Sequence, residues 1–148
     1  MSVVSNEELF KEIDLIQNCI ERMAKNSFMI KGWSLTIFAG ILAFLNGDLL
    51  KNQLLIASAL IIPFIGFWYI DSYFFLTERC YRSLYKQVLS KRKAGNREAQ
   101  YDLDPCGFKN TCVGLWKSFW SKTLICFYGT QILIVSIIIL LLLLLTCA

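Results

Sequence analysis

One carboxylate stands in an otherwise apolar stretch of this 148-residue sequence. Asp71 lies in FWYIDSYFF, where aromatic and aliphatic residues flank it on both sides. A charge in such a stretch is costly to remove from water, so it usually serves a function or pairs with an opposite charge. Lys31 occupies a comparable place in an earlier apolar stretch, two residues before Trp33. We therefore expect an ion pair between Asp71 and Lys31, within one subunit or between subunits.

Two further charges extend this pattern along a helical face. Glu78 lies seven residues after Asp71, and Arg82 follows one turn later. Such a polar seam could line a pore or a subunit contact. In two alternatives, Asp71 anchors its helix at an interface without any further role, or it carries protons or takes part in catalysis. The residues of the candidate polar seam or ion pair are Lys31, Asp71, Glu78 and Arg82.

The residue types that most catalytic sites need are missing. Histidine is absent, which removes the usual general base near neutral pH and the commonest metal ligand. The six cysteines include no Cys-x-x-Cys pair, and we interpret them as reduced thiols that fill small apolar spaces. No phosphate-binding loop, HExxH or GxSxG occurs. We expect a protein that is not an enzyme, with no catalytic site, no metal site and no cofactor.

Hydrophobic residues make up 56% of the chain and are concentrated in blocks. Residues 132–145 contain a single polar residue, Ser136. Such runs are typical of bilayer spans. We predict three spans, at about 30–45, 54–73 and 123–146, with the second continuing as a cytoplasmic helix to about Ser90. The expected fold class is an all-α membrane protein.

The predicted spans divide the chain into four segments. Residues 1–28 form a cytoplasmic amphipathic helix, and residues 29–73 a transmembrane hairpin. Residues 74–122 form a cytoplasmic helix and a loop with an interfacial aromatic segment. Residues 123–148 form a C-terminal transmembrane helix. Four tryptophans are expected to anchor the membrane–water interfaces, and these are Trp33, Trp68, Trp116 and Trp120.

An apolar stripe runs along the first predicted helix, with spacings of four, three, four and three residues. A stripe this narrow suits packing against another helix, from this chain or from a neighbouring copy. Alternatively, the helix lies on the membrane surface. The stripe, a candidate oligomer contact, consists of Leu9, Ile13, Ile16, Ile20 and Met23.

The distribution of Lys and Arg predicts the orientation in the membrane. Four precede the first span or lie at its edge, one (Lys51) lies between the first two spans, and ten lie from Arg79 through Lys122. Because cytoplasmic loops are enriched in Lys and Arg, the N-terminus and residues 74–122 are expected inside, and the C-terminus outside. We assign the net charge of +4 to an anionic inner leaflet rather than to a nucleic acid.

The chain contains the stretch ERMAKNSFMIKGWSLTIFAGILAF, followed by a tight turn, a second predicted span and a charged helix bearing ERCYRSLYKQV. This pattern resembles two groups of small bacterial membrane proteins. They are the RipA-like octameric type and the wider SLATT class. The resemblance covers roughly residues 5–90, and the third span departs from the two-span plan. It implies a homo-oligomer of the bacterial inner membrane. For the SLATT class it implies a pore or membrane-disrupting effector in antiviral defence or stress, triggered by an upstream sensor.

A second hypothesis is a membrane scaffold or regulatory subunit that docks a cytoplasmic protein through residues 74–122. The predicted spans carry few polar residues, chiefly Ser34, Thr36 and Ser58. This scarcity argues against a constitutive water-filled pore, so any opening would require rearrangement.

Overall fold

A computed structural model describes residues 6–45, 61–96, 101–108 and 114–147 of the chain. These residues form four α-helices: α1 (Asn6–Leu45), α2 (Ile61–Lys93), α3 (Leu115–Phe119) and α4 (Lys122–Cys147). A short 3₁₀ turn spans Pro105–Phe108. No strand occurs in the described ranges. The prediction of an all-α fold is therefore confirmed.

The first helix is longer than either element predicted for it. The amphipathic helix and the first predicted span form one continuous helix of 40 residues. Its sequence contains no proline and no pair of adjacent glycines, so no strong breaker interrupts the helical pattern. The turn after it and the start of the predicted second span, residues 46–60, lie outside the described residues.

The second helix continues to Lys93, three residues beyond the end expected for its cytoplasmic extension. Gly95 then adopts a left-handed conformation with φ of 74°. Asn96 donates its N–H to the Lys91 carbonyl, and Gly95 donates to the Arg92 carbonyl, each at 3.0 Å. This pattern is a Schellman motif, which glycine favours because it has no Cβ to clash.

The chain forms two compact units. The first comprises Met1–Ser27 and Tyr73–Ser118, and the second comprises Phe28–Ser72 and Phe119–Ala148. The second unit therefore combines most of the predicted hairpin with the predicted C-terminal span.

Each unit has its own apolar core. In the first unit Ile16 is buried against Leu84 and Val88, and Ile20 packs on this cluster. The other members of the predicted stripe, Leu9, Ile13 and Met23, are half-buried. The stripe thus contributes to packing within the chain. The core of the second unit is formed by Phe38, Phe64 and Val135.

One helix segment in the described part of the chain, Lys122–Leu141, is long and apolar enough to cross a membrane. Its mean hydropathy is 2.5. It coincides with the start and most of the third predicted span. By the same criteria of length and composition, no other helix among the described residues qualifies.

Candidate functional site

Asp71 lies at the centre of a polar cluster inside the second unit. Its side chain is completely buried, and its Oδ2 atom lies 2.6 Å from the Nζ of Lys31. Tyr128, which is also buried, donates its hydroxyl to the same oxygen at 3.1 Å. One carboxylate oxygen on α2 is therefore contacted by polar groups from both α1 and α4. This arrangement fixes the rotation of each of the three helices about its axis.

A second polar contact lies one turn farther along both α1 and α4. Ser34, three residues after Lys31, donates its hydroxyl to Oε1 of Gln131 at 2.7 Å. Gln131 comes three residues after Tyr128, so both contacts use the same faces of the two helices. The Nε2 of Gln131 is buried and has no hydrogen-bond partner in the described residues. We call Lys31, Ser34, Asp71, Tyr128 and Gln131 together the polar cluster.

The ion pair in the cluster is asymmetric in its exposure. The side chain of Lys31 retains 27% of its accessible surface, whereas that of Asp71 retains none. The lysine therefore lies at the edge of the unit with its ammonium directed inward. Hydrogen bonds between ionised groups are short and strong, and both charges gain from the low dielectric only while they remain paired. Loss of either partner would leave an isolated charge.

The other two residues of the expected seam are Glu78 and Arg82. Glu78 and Arg82 belong to the first unit, where they pair with each other at 2.7 Å. They are one helical turn apart, and the arginine is largely exposed. Such surface pairs contribute little to stability. The polar cluster therefore carries the candidate site.

Three of the four predicted aromatic anchors, Trp33, Trp116 and Trp120, are exposed. Trp68 is instead buried in the second unit, with only 9% of its surface accessible. Its Nε1–H donates to the carbonyl of Phe119 at 3.0 Å, and the two rings stack 4.4 Å apart. Phe119 ends α3, where carbonyls lack a helical partner, and Trp68 supplies one.

A buried ion pair in the first unit escaped the sequence reasoning. Arg92 donates from Nε and Nη2 to the two carboxylate oxygens of Glu12, at 2.8 and 2.7 Å. Both side chains are almost completely buried. Tyr101 donates its N–H to Oε1 of Glu12 at 3.0 Å, from a left-handed conformation with φ of 62°. We call these three residues the Glu12 clamp, because they join α1, α2 and the segment that follows.

The sequence contains a pattern that indicates this clamp. Glu12 comes three residues after Leu9 and four before Ile16, which places it at a core position of the apolar stripe. Its hydrogen bonds with Arg92 hold the pKa of the Glu12 carboxyl below its ordinary value of 4.5. A buried acid at a core position predicts a basic partner, and Arg92 follows Val88 at the same helical spacing.

The arrangement favours structural roles for these charges. In the polar cluster the one carboxylate is neutralised by one ammonium and bonded by one phenol. In the described ranges no group of three or more acidic, cysteine or histidine side chains is placed to hold a metal ion. No known protein family, curated protein or solved structure matches this chain.

Proposed function

We propose that the chain is a non-enzymatic, multi-pass protein of the bacterial inner membrane. It assembles as a homo-oligomer and acts as a gated pore or membrane-disrupting effector in defence or stress. The observation that carries this proposal is the polarity of the second unit: its polar cluster is buried apart from the partly exposed Lys31, while its exposed surface is rich in large apolar side chains. A soluble unit would favour the opposite distribution.

Large exposed apolar side chains occur on every long helix of this unit. On α1 they are Phe28, Met29, Trp33, Leu35 and Ile37. On α2 they are Ile62, Ile65, Tyr69 and Ile70. On α4 they are Ile125, Leu133, Ile134, Ile137, Leu140, Leu141, Leu143 and Leu144. An apolar surface of this extent favours contact with lipid or with a partner.

The exposed hydroxyls of this unit support the same interpretation. Thr36 donates to the carbonyl of Gly32 at 3.0 Å, and Ser136 donates to that of Ile132 at 2.8 Å. Thr130 donates to the carbonyl of Phe127 at 2.9 Å. Each donor is therefore satisfied by its own helix, as hydrocarbon requires because it offers no water.

In the proposed topology α4 is one of three spans, and the first two are formed by residues 30–45 and 54–73. The Lys and Arg distribution favours a cytoplasmic location for the N-terminus and residues 74–122, with the C-terminus outside. The basic side chains then face an anionic inner leaflet.

A gated opening would use the polar cluster. With its helices packed, the Lys31–Asp71, Tyr128–Asp71 and Ser34–Gln131 contacts hold these polar groups against one another inside the unit. Separation of α4 from α1 and α2 would break the Tyr128–Asp71 and Ser34–Gln131 contacts and expose these groups. The packed arrangement therefore corresponds to a closed state, and an upstream signal would have to supply the cost of opening it.

The gating proposal predicts a leaky Tyr128→Phe variant. Loss of the phenol oxygen removes the hydrogen bond by which α4 contacts Asp71, worth about 1.5–3 kcal/mol for a charged acceptor. We expect dye-loaded anionic liposomes to leak faster with this variant than with the unmodified protein. Tyr69→Phe, at an exposed tyrosine of α2, is the matched control. Equal leakage from both variants would refute gating through this contact.

The first unit supports an alternative, a scaffold or regulatory subunit that binds a cytoplasmic protein through residues 74–122. An open groove of about 570 Å³ runs between α1 and α2, lined by Gln17, Ile20, Glu21, Arg82, Tyr85 and Lys86. Trp116 is 73% exposed in the same unit. This alternative predicts a co-purifying protein and no leakage from either tyrosine variant.

A further inference from the structure

The side-chain amide of Gln131 is buried, but only its oxygen is bonded. The residue keeps 4% of its accessible surface, and its Oε1 atom accepts the hydroxyl of Ser34 at 2.7 Å. The Nε2 atom has two N–H donors and no hydrogen-bond partner among the described residues. Buried polar groups in proteins are nearly always bonded. The nitrogen therefore indicates a ligand that accepts a hydrogen bond.

This amide lies inside the packed second unit. Ser34, its partner on α1, has no accessible surface. On α4 itself, the residues about one turn before and one turn after Gln131 are Tyr128 and Val135, and both are buried. The direct contact of 2.7 Å between α1 and α4 leaves space only for a small molecule beside it. The ligand is therefore small and is held within the unit.

The ligand is also electrically neutral. The carboxylate of Asp71 is completely buried and pairs with the ammonium of Lys31 at 2.6 Å. These two charges balance each other. An ion added beside them would bring an uncompensated charge into the packed interior, which is costly. Water is small and neutral, and buried water commonly bonds polar groups that the protein leaves unsatisfied.

Two oxygens of the polar cluster can receive the protons of such a water. The hydroxyls of Ser34 and Tyr128 donate to Gln131 and Asp71 and retain lone pairs that can accept. Tyr128 comes three residues before Gln131, about 4.5 Å along the helix axis. Helical side chains lean toward the N-terminus of their helix, which brings the Gln131 amide toward Tyr128. One water hydrogen-bonded to two atoms joins points about 4.5–5.5 Å apart.

We infer that the amide of Gln131 binds one buried water molecule, which donates to the oxygens of Ser34 and Tyr128. The water joins the Ser34–Gln131 contact to the hydroxyl of Tyr128. Through that hydroxyl the network continues to Asp71 and to Lys31, which lies at the edge of the unit. The two polar contacts of the cluster thus become one hydrogen-bonded network.

The binding of this water requires only the packed second unit, whereas its role in opening rests on the proposed function. Hydrocarbon supplies no water to a span, so an aqueous path between packed helices has to begin at a polar point. The water at Gln131 provides that point. Separation of α4 then adds water to a site that is already hydrated, which lowers the cost of wetting the path.

Nuclear magnetic resonance of the full chain in nanodiscs, with ¹⁵N in the glutamine side chains, tests the binding. We expect a long-lived contact between water protons and the Gln131 amide, in which the nuclear and rotating-frame Overhauser effects have opposite signs. Gln87 is exposed and is the control, with only the brief contacts of surface water. Gln131→Leu assigns the signal by removing it. A resolved Gln131 amide without a long-lived water would overturn the inference.

The same measurement on Tyr128→Phe tests the second partner of the water. Because this variant lacks the phenol oxygen, the water loses one acceptor. We expect the Overhauser signal at Gln131 to fall severalfold. An unchanged signal would overturn the assigned contact with Tyr128.

Leakage from dye-loaded liposomes tests the role of the water in opening. Gln131→Leu removes the amide that holds the water and puts an apolar side chain in its place. Added to Tyr128→Phe, it should reduce the leakage of that variant about tenfold, as expected for the loss of a hydrogen-bonded hydration point. Ser136→Leu introduces the same side chain at an exposed position of α4 and should leave leakage unchanged. Leakage that is insensitive to Gln131→Leu would overturn the role in opening.

Failure of the inference and failure of the proposed function give different results. If Tyr128→Phe leaks but Gln131 has no long-lived water, the inference is overturned and the gating proposal stands. If the water is detected but Tyr128→Phe does not leak, the gating proposal is overturned and the water site stands.

Discussion

Lys31→Met is expected to destabilise the protein by about 3–5 kcal/mol, because it leaves the buried carboxylate of Asp71 without its counter-charge. The Asp71 side chain has no accessible surface, and Lys31 lies 2.6 Å from it. The free energy of unfolding in mixed micelles of a mild detergent and dodecyl sulfate measures this loss. The exposed Lys122 gives a matched control, since Lys122→Met should change stability by less than about 0.5 kcal/mol.

The double variant Lys31→Met with Asp71→Leu tests whether the two residues stabilise the protein as a pair. Replacing both partners of a buried ion pair by apolar side chains is often neutral or stabilising. We therefore expect this variant to recover most of the stability lost by Lys31→Met alone. If the two single changes instead add in the double variant, the two residues do not act as a pair.

Arg92→Met is expected to destabilise the first unit by about 3–5 kcal/mol, since Glu12 then stays buried without a cation. Loss of Arg92 also frees Tyr101, because the Tyr101 N–H donates to the same Glu12 carboxylate that Arg92 contacts. Protease sensitivity of residues 101–108, together with the free energy of unfolding, measures both effects. Arg22→Met, at an exposed arginine of α1, should change neither.

The Glu12 clamp also predicts a pH dependence. Arg92 lowers the pKa of the Glu12 carboxyl in the folded state below its ordinary value of 4.5. The stabilisation is therefore complete above this value and declines as the pH falls through the folded pKa. The stability difference between the unmodified protein and Glu12→Gln should be constant near pH 7 and shrink below about pH 4.5. A difference that grows on acidification would contradict the clamp.

Isolated charges were the most informative feature of the sequence. Asp71 and Lys31 each stood in an apolar stretch, so their cost in such surroundings indicated that they pair. Tyr128 and Gln131 could not be found in this way, because neither carries a charge whose burial would require a partner. The sequence does not assign a partner to Ser34, since a single hydroxyl has too many possible partners.

Helical periodicity predicted helix type better than helix bounds. The apolar stripe of α1 indicated an amphipathic helix, yet nothing in the local sequence distinguished one long helix from two. The burial of Trp68 does not follow from the local sequence, because the Phe119 carbonyl to which it donates lies 51 residues away in sequence. Contacts at such separation depend on how helices pack, which local patterns do not encode.

The location of residue 51 tests the proposal that the second unit is embedded in lipid as three spans. A reporter that is active only outside the cytoplasm would be fused after Lys51, with a fusion after Gly95 as the internal control. Three spans predict activity at Lys51 and none at Gly95. If α4 is the only span, both sites lie on the same side of the membrane, so a fusion at Lys51 that behaves like the one at Gly95 would contradict the account.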